Sequence, residues 1–275
     1  MRNPVFVNTT NPEFDYPSGE ENAYTEYSGT GGVPMDGLFK RAAFAMRLSD
    51  FNVLLSGDIT NESKVLLYRD IVERAKRVVP FLAFDNDPYM VILDGRLVWM
   101  IDAHSIANRY PYSQAVQVGE LKGNWIRNSV KIVVDAYDGS LTFYRMSGDD
   151  PVLDTWAKAF PHLFEPADRM PANLWAHLRY PQDLFEVQSN LFAVYHMTNA
   201  QIFYYREDEW EVPTLNLDSG IRYKARMEPY YTIMKLPGED KEEFIVMLPF
   251  TPKSKPNLAA WMVGRSDGEA YGQMI

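Results

Sequence analysis

Apolar and polar positions divide this chain into short strands and a few helices. Pro88–Asp102 and Val130–Met146 each carry two runs rich in β-branched and aromatic residues, separated by Asp94-Gly95 and Asp138-Gly139. Asp-Gly can adopt positive φ at both central positions, as a type I′ hairpin turn requires, so two successive hairpins are expected. Glu228–Leu236 and Glu243–Phe250 repeat the pattern around the longer loop Pro237–Lys241, and Ala259–Gly264 reads as a further strand of that sheet. Pro4–Asn8 and Lys64–Tyr68 read as short strands. Helical spacing of Leu38, Ala42, Ala45 and Met46 predicts a helix over Pro34–Leu48, with proline in its first turn. A short turn follows at Phe51–Ser56.

Asp70–Val79 has an acidic start and a basic end and stops at Pro80, matching a helix dipole. Asp150–Phe160 has an Asp cap followed by proline, Pro171–His177 reads as one short helix, and Asp183–Tyr195 places Leu184, Val187, Leu191 and Val194 on one face. Asn199–Val212 shows no decisive period, and Leu215–Arg226 reads as a polar connector. Asn11–Gly32 reads as a long surface wrap tied down by Phe14, Tyr16, Tyr24 and Tyr27, and Ser105–Asn124 as the connector between the hairpins. Hairpins and helices come in blocks, without strict alternation. The expected class is therefore α+β: a mostly antiparallel sheet built from β-hairpins, with helices packed against it. A seam near Gly148–Pro151 would divide 1–148 from 149–275.

Composition narrows the function classes. The 275 residues are 46% apolar and 23% charged, ordinary for a globular chain long enough to bury a large core. Net charge is −10, from 27 basic and 37 acidic residues, and no Lys/Arg cluster interleaves with aromatics; a nucleic-acid partner is not expected. With no cysteine, disulfides, thiolate metal sites and cysteine nucleophiles are excluded. No signal peptide opens the sequence, and no stretch approaches the roughly 18 apolar residues of a membrane span, so the fragment reads as soluble. Tyr271–Ile275 reads as the start of a strand, so the chain is expected to be cut from a longer one.

Candidate chemistry is sparse. His104, His162, His177 and His196 lack the i, i+4 spacing of a zinc-binding helix. Asp85 and Asp87 precede the first hairpin and Asp102 ends it; oxygen ligands so placed could hold Ca²⁺, although turn chemistry also accounts for them and no cofactor is expected. Gly29–Gly32 lacks the Gly-Lys-Ser/Thr ending of a phosphate loop, and no Gly-x-Ser-x-Gly elbow occurs. Glu207, Asp208, Glu209 and Glu211 surround Trp210, the combination of acid–base carboxylates and aromatic platform that a glycan-active enzyme uses; a solvated acidic face is the simpler account.

Motifs spread along the chain carry a resemblance. They include Val7–Pro17, Gly31–Pro34, Asp87-Pro-Tyr89, Asp94–Trp99, Arg109–Gln114, Asn124–Lys131, Val134–Gly139, Ala176–Pro181, Tyr195–Thr198, Trp210–Pro213, Glu228–Tyr231 and Leu248–Pro252. Together they resemble uncharacterised protein family 0182, large multi-span bacterial membrane proteins. The resemblance implies one soluble piece of a longer plasma-membrane protein, lying outside the cytoplasm, whose partners are the transmembrane part of its own full-length protein and envelope components. It carries no reaction or catalytic residues. Three functions compete: a non-enzymatic interaction or binding domain, an enzyme acting on an envelope glycan, and an assembly scaffold for the parent protein.

Overall fold

The structure, a computed structural model, describes residues 4–19, 21–146, 148–216, 224–253 and 255–275. Its class is α+β, with mostly antiparallel sheets. The chain forms two compact units that interleave in sequence: Met1–Pro80 with Asp94–Trp99 and Val134–Leu141, and Phe81–Leu93 with Met100–Val133 and Thr142–Ile275. Position 148 falls inside the second unit.

The first unit holds β1 (Val5–Val7), β2 (Glu13–Ser18), β3 (Glu21–Thr25), β4 (Val33–Pro34), α1 (Leu38–Leu48), α2 (Asn52–Leu55), β5 (Lys64–Leu66) and α3 (Ile71–Val78). β1 and β4 flank β5 in a three-stranded sheet. Met35, Ala45, Val53, Ile59 and Val65 form its core, with Phe44 and Leu48 packed against them. α1 starts four residues later than the periodicity suggests, because Val33 and Pro34 pair with Val65 and Lys64 and the Met35 amide still donates to Ser63. It ends at Ser49, which takes φ 55. In α3, the Asp70 carboxylate accepts from the Val72 and Glu73 amides, as its sequence indicates.

Asn11–Gly32 contains a hairpin, β2 with β3, in place of a plain wrap. Phe14 faces Tyr24 across it; Phe14, Tyr16 and Tyr24 are exposed, and Tyr27 alone of the four expected anchors is buried.

The chain continues with β6 (Ala83–Phe84), β7 (Tyr89–Leu93), β8 (Arg96–Ala107), β9 (Val116–Val118), β10 (Leu121–Gly123), β11 (Trp125–Asp135), β12 (Leu141–Arg145), α4 (Pro151–Ala159), β13 (Phe164–Pro166), α5 (Ala172–Trp175), α6 (Gln182–Tyr195), α7 (Ala200–Tyr205), β14 (Trp210–Glu211), β15 (Thr214–Asn216), β16 (Lys224–Arg226), β17 (Tyr230–Lys235), β18 (Glu242–Pro252) and β19 (Ala260–Arg265), all in the second unit except the parts of β8, β11 and β12 already given to the first. One sheet runs β13-β12-β11-β8-β6, with β7 also on β8. A second places β18 between β14 and β17, with β19 also on β18. α6 lies against this second sheet: Phe185 and Ala193 pack with Val246, Leu248, Phe250 and Met262. The connector Ser105–Asn124 holds a small hairpin of its own, β9 with β10. Of the polar connector expected at Leu215–Arg226, residues 217–223 lie outside the described residues.

The two Asp-Gly turns differ. Asp94 and Gly95 both take positive φ (50° and 81°), the two-residue turn their sequence predicts. At the second, only Gly139 does; the Asp135 carboxylate accepts from the Tyr137 and Asp138 amides and winds a longer loop.

Candidate functional site

The second unit is built around a short irregular segment, Ala176–Pro181, which joins α5 to α6. Main-chain groups without a helix or sheet ladder need other partners when buried, and here side chains supply them. The Tyr89 hydroxyl donates to the His177 carbonyl and accepts from the Arg179 amide, each at 3.1 Å. Lys131 Nζ donates to the Arg179 carbonyl at 3.0 Å, and Tyr271 donates to the same oxygen at 3.3 Å. Ser266 Oγ accepts from the Tyr180 amide at 3.0 Å, and Tyr231 donates to the Tyr180 carbonyl at 2.7 Å.

This arrangement draws Lys131 into the interior of β11, where its side chain is 1% exposed. Asp102, on the neighbouring strand β8, forms the buried ion pair that compensates it. Burial alone would lower the Lys131 ammonium, but Asp102 beside it holds it above its ordinary range, so the lysine stays charged. Arg179 turns its guanidinium onto aromatic faces, with ring centroids of Tyr89 at 4.2 Å, Tyr231 at 5.3 Å and Phe244 at 5.5 Å.

A group of acids lies where α6 begins. Pro181 occupies the N-cap and offers no side-chain acceptor to the first-turn amides. Asp85, from the loop after β6, takes that role: its Oδ2 accepts from the Asp183 amide at 3.0 Å. Asp183 Oδ2 answers by accepting from the Asn86 amide at 3.2 Å and from Asn86 Nδ2 at 2.9 Å. The exchange has the logic of a capping box, made between two distant parts of the chain. Burial, together with the charge of Asp85, pushes Asp183 up to about 6. Burial likewise raises Asp87, against the pull of Arg179.

His104 is paired opposite Ala83 and is fully buried. Its Nε2 points at Asp85 Oδ2 from 3.7 Å, and neither ring nitrogen has a hydrogen-bond partner among the described residues. Beside the group a cavity of about 560 Å³ is lined by Asp87, Gly119, Asp183, Glu186, Arg226 and Glu228, among others. A Cβ at Gly119 would collide with Asn86 Nδ2 and Asp183 Oδ2, so the β9–β10 turn needs glycine to approach the acids this closely.

The candidates named from sequence fall in two places. Asp85, Asp87 and Asp102 all belong to this region but have separate tasks: capping α6, lining the cavity and pairing with Lys131. Among the described residues no group of three or more His, Cys, Asp or Glu is arranged to hold a metal ion.

The acidic stretch after Arg206 lies elsewhere, between α7 and β14. Glu207, Asp208 and Glu211 are exposed, and Glu209 pairs with Lys253 at 2.7 Å and Arg206 at 3.4 Å. Trp210 stacks on His196 with centroids 3.7 Å apart and meets Phe250 at 5.7 Å. The indole is packed into the core, so it does not offer the open platform on which a sugar would stack. Asp183, Lys131, Arg179 and Tyr231 were missed from sequence. Only Lys131, a lone cation in the apolar run Val130–Val134, carries a local signal there.

A family model described as "Uncharacterised protein family (UPF0182)" matches residues 1–275. The chain belongs to UPF0182. A UPF0182 protein of Methanospirillum hungatei JF-1 is 50% identical over 272 residues, which cover 98% of this chain and 30% of that protein. UPF0182 proteins of Pelotomaculum thermopropionicum and Trichodesmium erythraeum are 48% and 45% identical, over 98% of this chain and 29% and 31% of their own lengths. The chain thus spans about 30% of the length of the curated relatives it matches. No solved structure matches it.

Two outcomes follow from the geometry of the UPF0182 chain. Lys131→Met strands Asp102 and should destabilise by about 3–5 kcal/mol, whereas Lys131→Met with Asp102→Leu should cost clearly less than the two single changes summed. Urea denaturation of the four proteins measures this. Asp183 binds its proton more tightly folded than unfolded, so its contribution is present below about pH 4 and is lost as pH rises through about 6. Asp183→Asn should remove that part of the slope when Tm is followed from pH 4 to 8.

Proposed function

We propose that this chain is an interaction domain of a larger membrane protein, held outside the cytoplasm, and that it docks through the first unit onto the rest of its parent. One observation supports this reading above the others. Leu38, Phe39 and Met46 of α1, with Phe51 and Leu55 around α2, are 73%, 86%, 76%, 73% and 79% exposed.

The spacing explains how this arises. In α1, Ala45 is buried and Phe44 and Leu48 pack on the core, while Phe39, Ala43 and Met46 occupy the opposite arc and Leu38 is exposed in the first turn. Large apolar side chains on the side of a helix turned away from its own core are normally covered by another surface. All five lie on, or at the start of, two neighbouring helices that contact each other, and clustered exposed apolar side chains mark a protein interaction site. The curated relatives contain more than twice as much chain again outside the matched region, which is where a covering surface would come from. Among the described residues no helix is long and apolar enough to cross a membrane, so anchoring is assigned to the parent's remaining length. The glycan-active alternative draws no support from Trp210, whose faces are occupied.

Two experiments test the reading. Phe39→Ser, Met46→Ser and Phe51→Ser together should leave the Tm of the isolated chain within a few degrees while weakening its capture by the separately expressed remainder of the parent at least ten-fold. Unchanged capture would refute the docking surface. The chain has no cysteine, so Tyr112→Cys, at the most exposed aromatic, gives a single reactive thiol in this domain. In the full-length parent of intact cells, with any other cysteine replaced, a membrane-impermeant maleimide should label it without permeabilisation. Labelling only after lysis would place the domain inside.

A further inference from the structure

A cavity of about 450 Å³ opens in the first unit between β4, β5, α3 and the loop from β11 to β12. Its wall is aromatic and basic: Tyr27, Tyr68, Trp99 and Tyr137 line it together with Arg69 and Arg74. The acids of the same wall have partners within the fold. Asp135 accepts from Arg96 at 2.6 Å and from the amides of Tyr137 and Asp138. Asp138 accepts from the Ser140 amide at 3.1 Å and from the Thr30 hydroxyl at 3.2 Å. The cations differ. Arg74 donates to main-chain carbonyls alone, those of Gly139 and Leu67, which leaves Nη2 unused. Arg69 is exposed and makes no hydrogen bond or ion pair among the described residues. Lys64, which lies over the Tyr27 ring, donates to the Gly29 carbonyl. A protein of net charge −10 thus gathers, around one cavity, three cations without a carboxylate partner among the described residues.

Two further features single out this wall. Tyr68 takes φ 51, a left-handed conformation that a bulky residue keeps only when its surroundings hold it there. Arg47, in the last turn of α1, donates to its hydroxyl, and the Arg77 guanidinium of α3 sits 3.9 Å over its ring. Tyr27 is 9% exposed, and its hydroxyl has no hydrogen-bond partner among the described residues, an uncommon state for a buried donor. We propose that the cavity binds an organic carboxylate carried on a ring, aromatic or sugar. The planar guanidinium forks of Arg69 and Arg74 suit the carboxylate. The rings of Tyr68, Trp99 and Tyr137 suit a ring-shaped body, and Val65, Leu66 and Ile71 add apolar wall. The volume lies within the range of small-ligand sites. Gly139 lets Arg74 lie against the turn, since a Cβ there would press on the guanidinium carbon at 3.0 Å. None of these residues belongs to the apolar face of α1 and α2, so the site is independent of the docking surface.

Isothermal titration of the whole chain with phenylacetate and with glucuronate tests this. At least one of the two should show a single saturable site, and the tighter one identifies the ring. Phenylacetamide and methyl glucoside keep a ring without the charge, and acetate keeps the charge without a ring. All three should bind at least ten-fold more weakly than the better carboxylate. Arg69→Gln, an exposed change at a side chain with no partner among the described residues, should lower affinity at least five-fold and leave Tm unchanged. Arg74→Gln should lower it at least ten-fold. Absence of saturable binding by both carboxylates overturns the proposal. So does unchanged affinity in Arg69→Gln, or affinity for acetate or for the neutral analogues equal to that for the ring-borne carboxylate.

Discussion

The second unit depends on pairing the main chain of Ala176–Pro181. This segment is too irregular to satisfy itself, and its buried amides and carbonyls would each be expensive to leave unpaired. Tyr89, Lys131, Ser266, Tyr231 and Tyr271 converge on it from four separate parts of the sequence. One of those partners is a cation, and that choice propagates. Lys131 can be buried only with a counter-charge, which requires Asp102 to face it from the adjacent strand. A carboxylate and an ammonium at the centre of a sheet are weak evidence for stability; here they tie β8 and β11 to the segment that launches α6.

The same segment explains the acids beyond it. Because Pro181 ends the segment and opens the helix, the first turn of α6 must borrow an acceptor, and Asp85 is the lender. Bringing Asp85 and Asp183 into a reciprocal exchange places two carboxylates close together with little solvent, and the raised protonation of Asp183 is the physical consequence. His104 faces Asp85 from 3.7 Å, buried on the neighbouring strand. The helix start thus accounts for both carboxylates by structural need alone.

Much of the architecture was legible because it is local. Asp70 at the start of α3, Asp150 before Pro151, and Asp94-Gly95 with paired positive φ are decided by residues within a turn of one another. Where long-range pairing competes, the local signal fails: Pro34 looks like a helix start but is held in a strand by β5, and Asn11–Gly32 looks like a loop because its hairpin exposes both faces and so lacks an apolar alternation. The candidate site was legible only in part. Asp85, Asp87 and Asp102 are visible as acids near a hairpin, but Asp183 and Arg179 acquire their roles from residues about 90 positions or more away. Trp210 shows the reverse case, in which a suggestive local composition is absorbed by stacking on His196.

The apolar arc of α1 and the acids at α6 differ in what they require of the fold. The apolar arc of α1 exists because Ala45, Phe44 and Leu48 on its inner arc already satisfy the core of the first unit, leaving Phe39 and Met46 exposed. Residues without an internal role that nonetheless keep large apolar side chains are the mark of an external surface. The acids at α6 are the opposite: each has an internal role, and their excess charge is a by-product of it. A partner covering α1 would therefore add stability without altering the core.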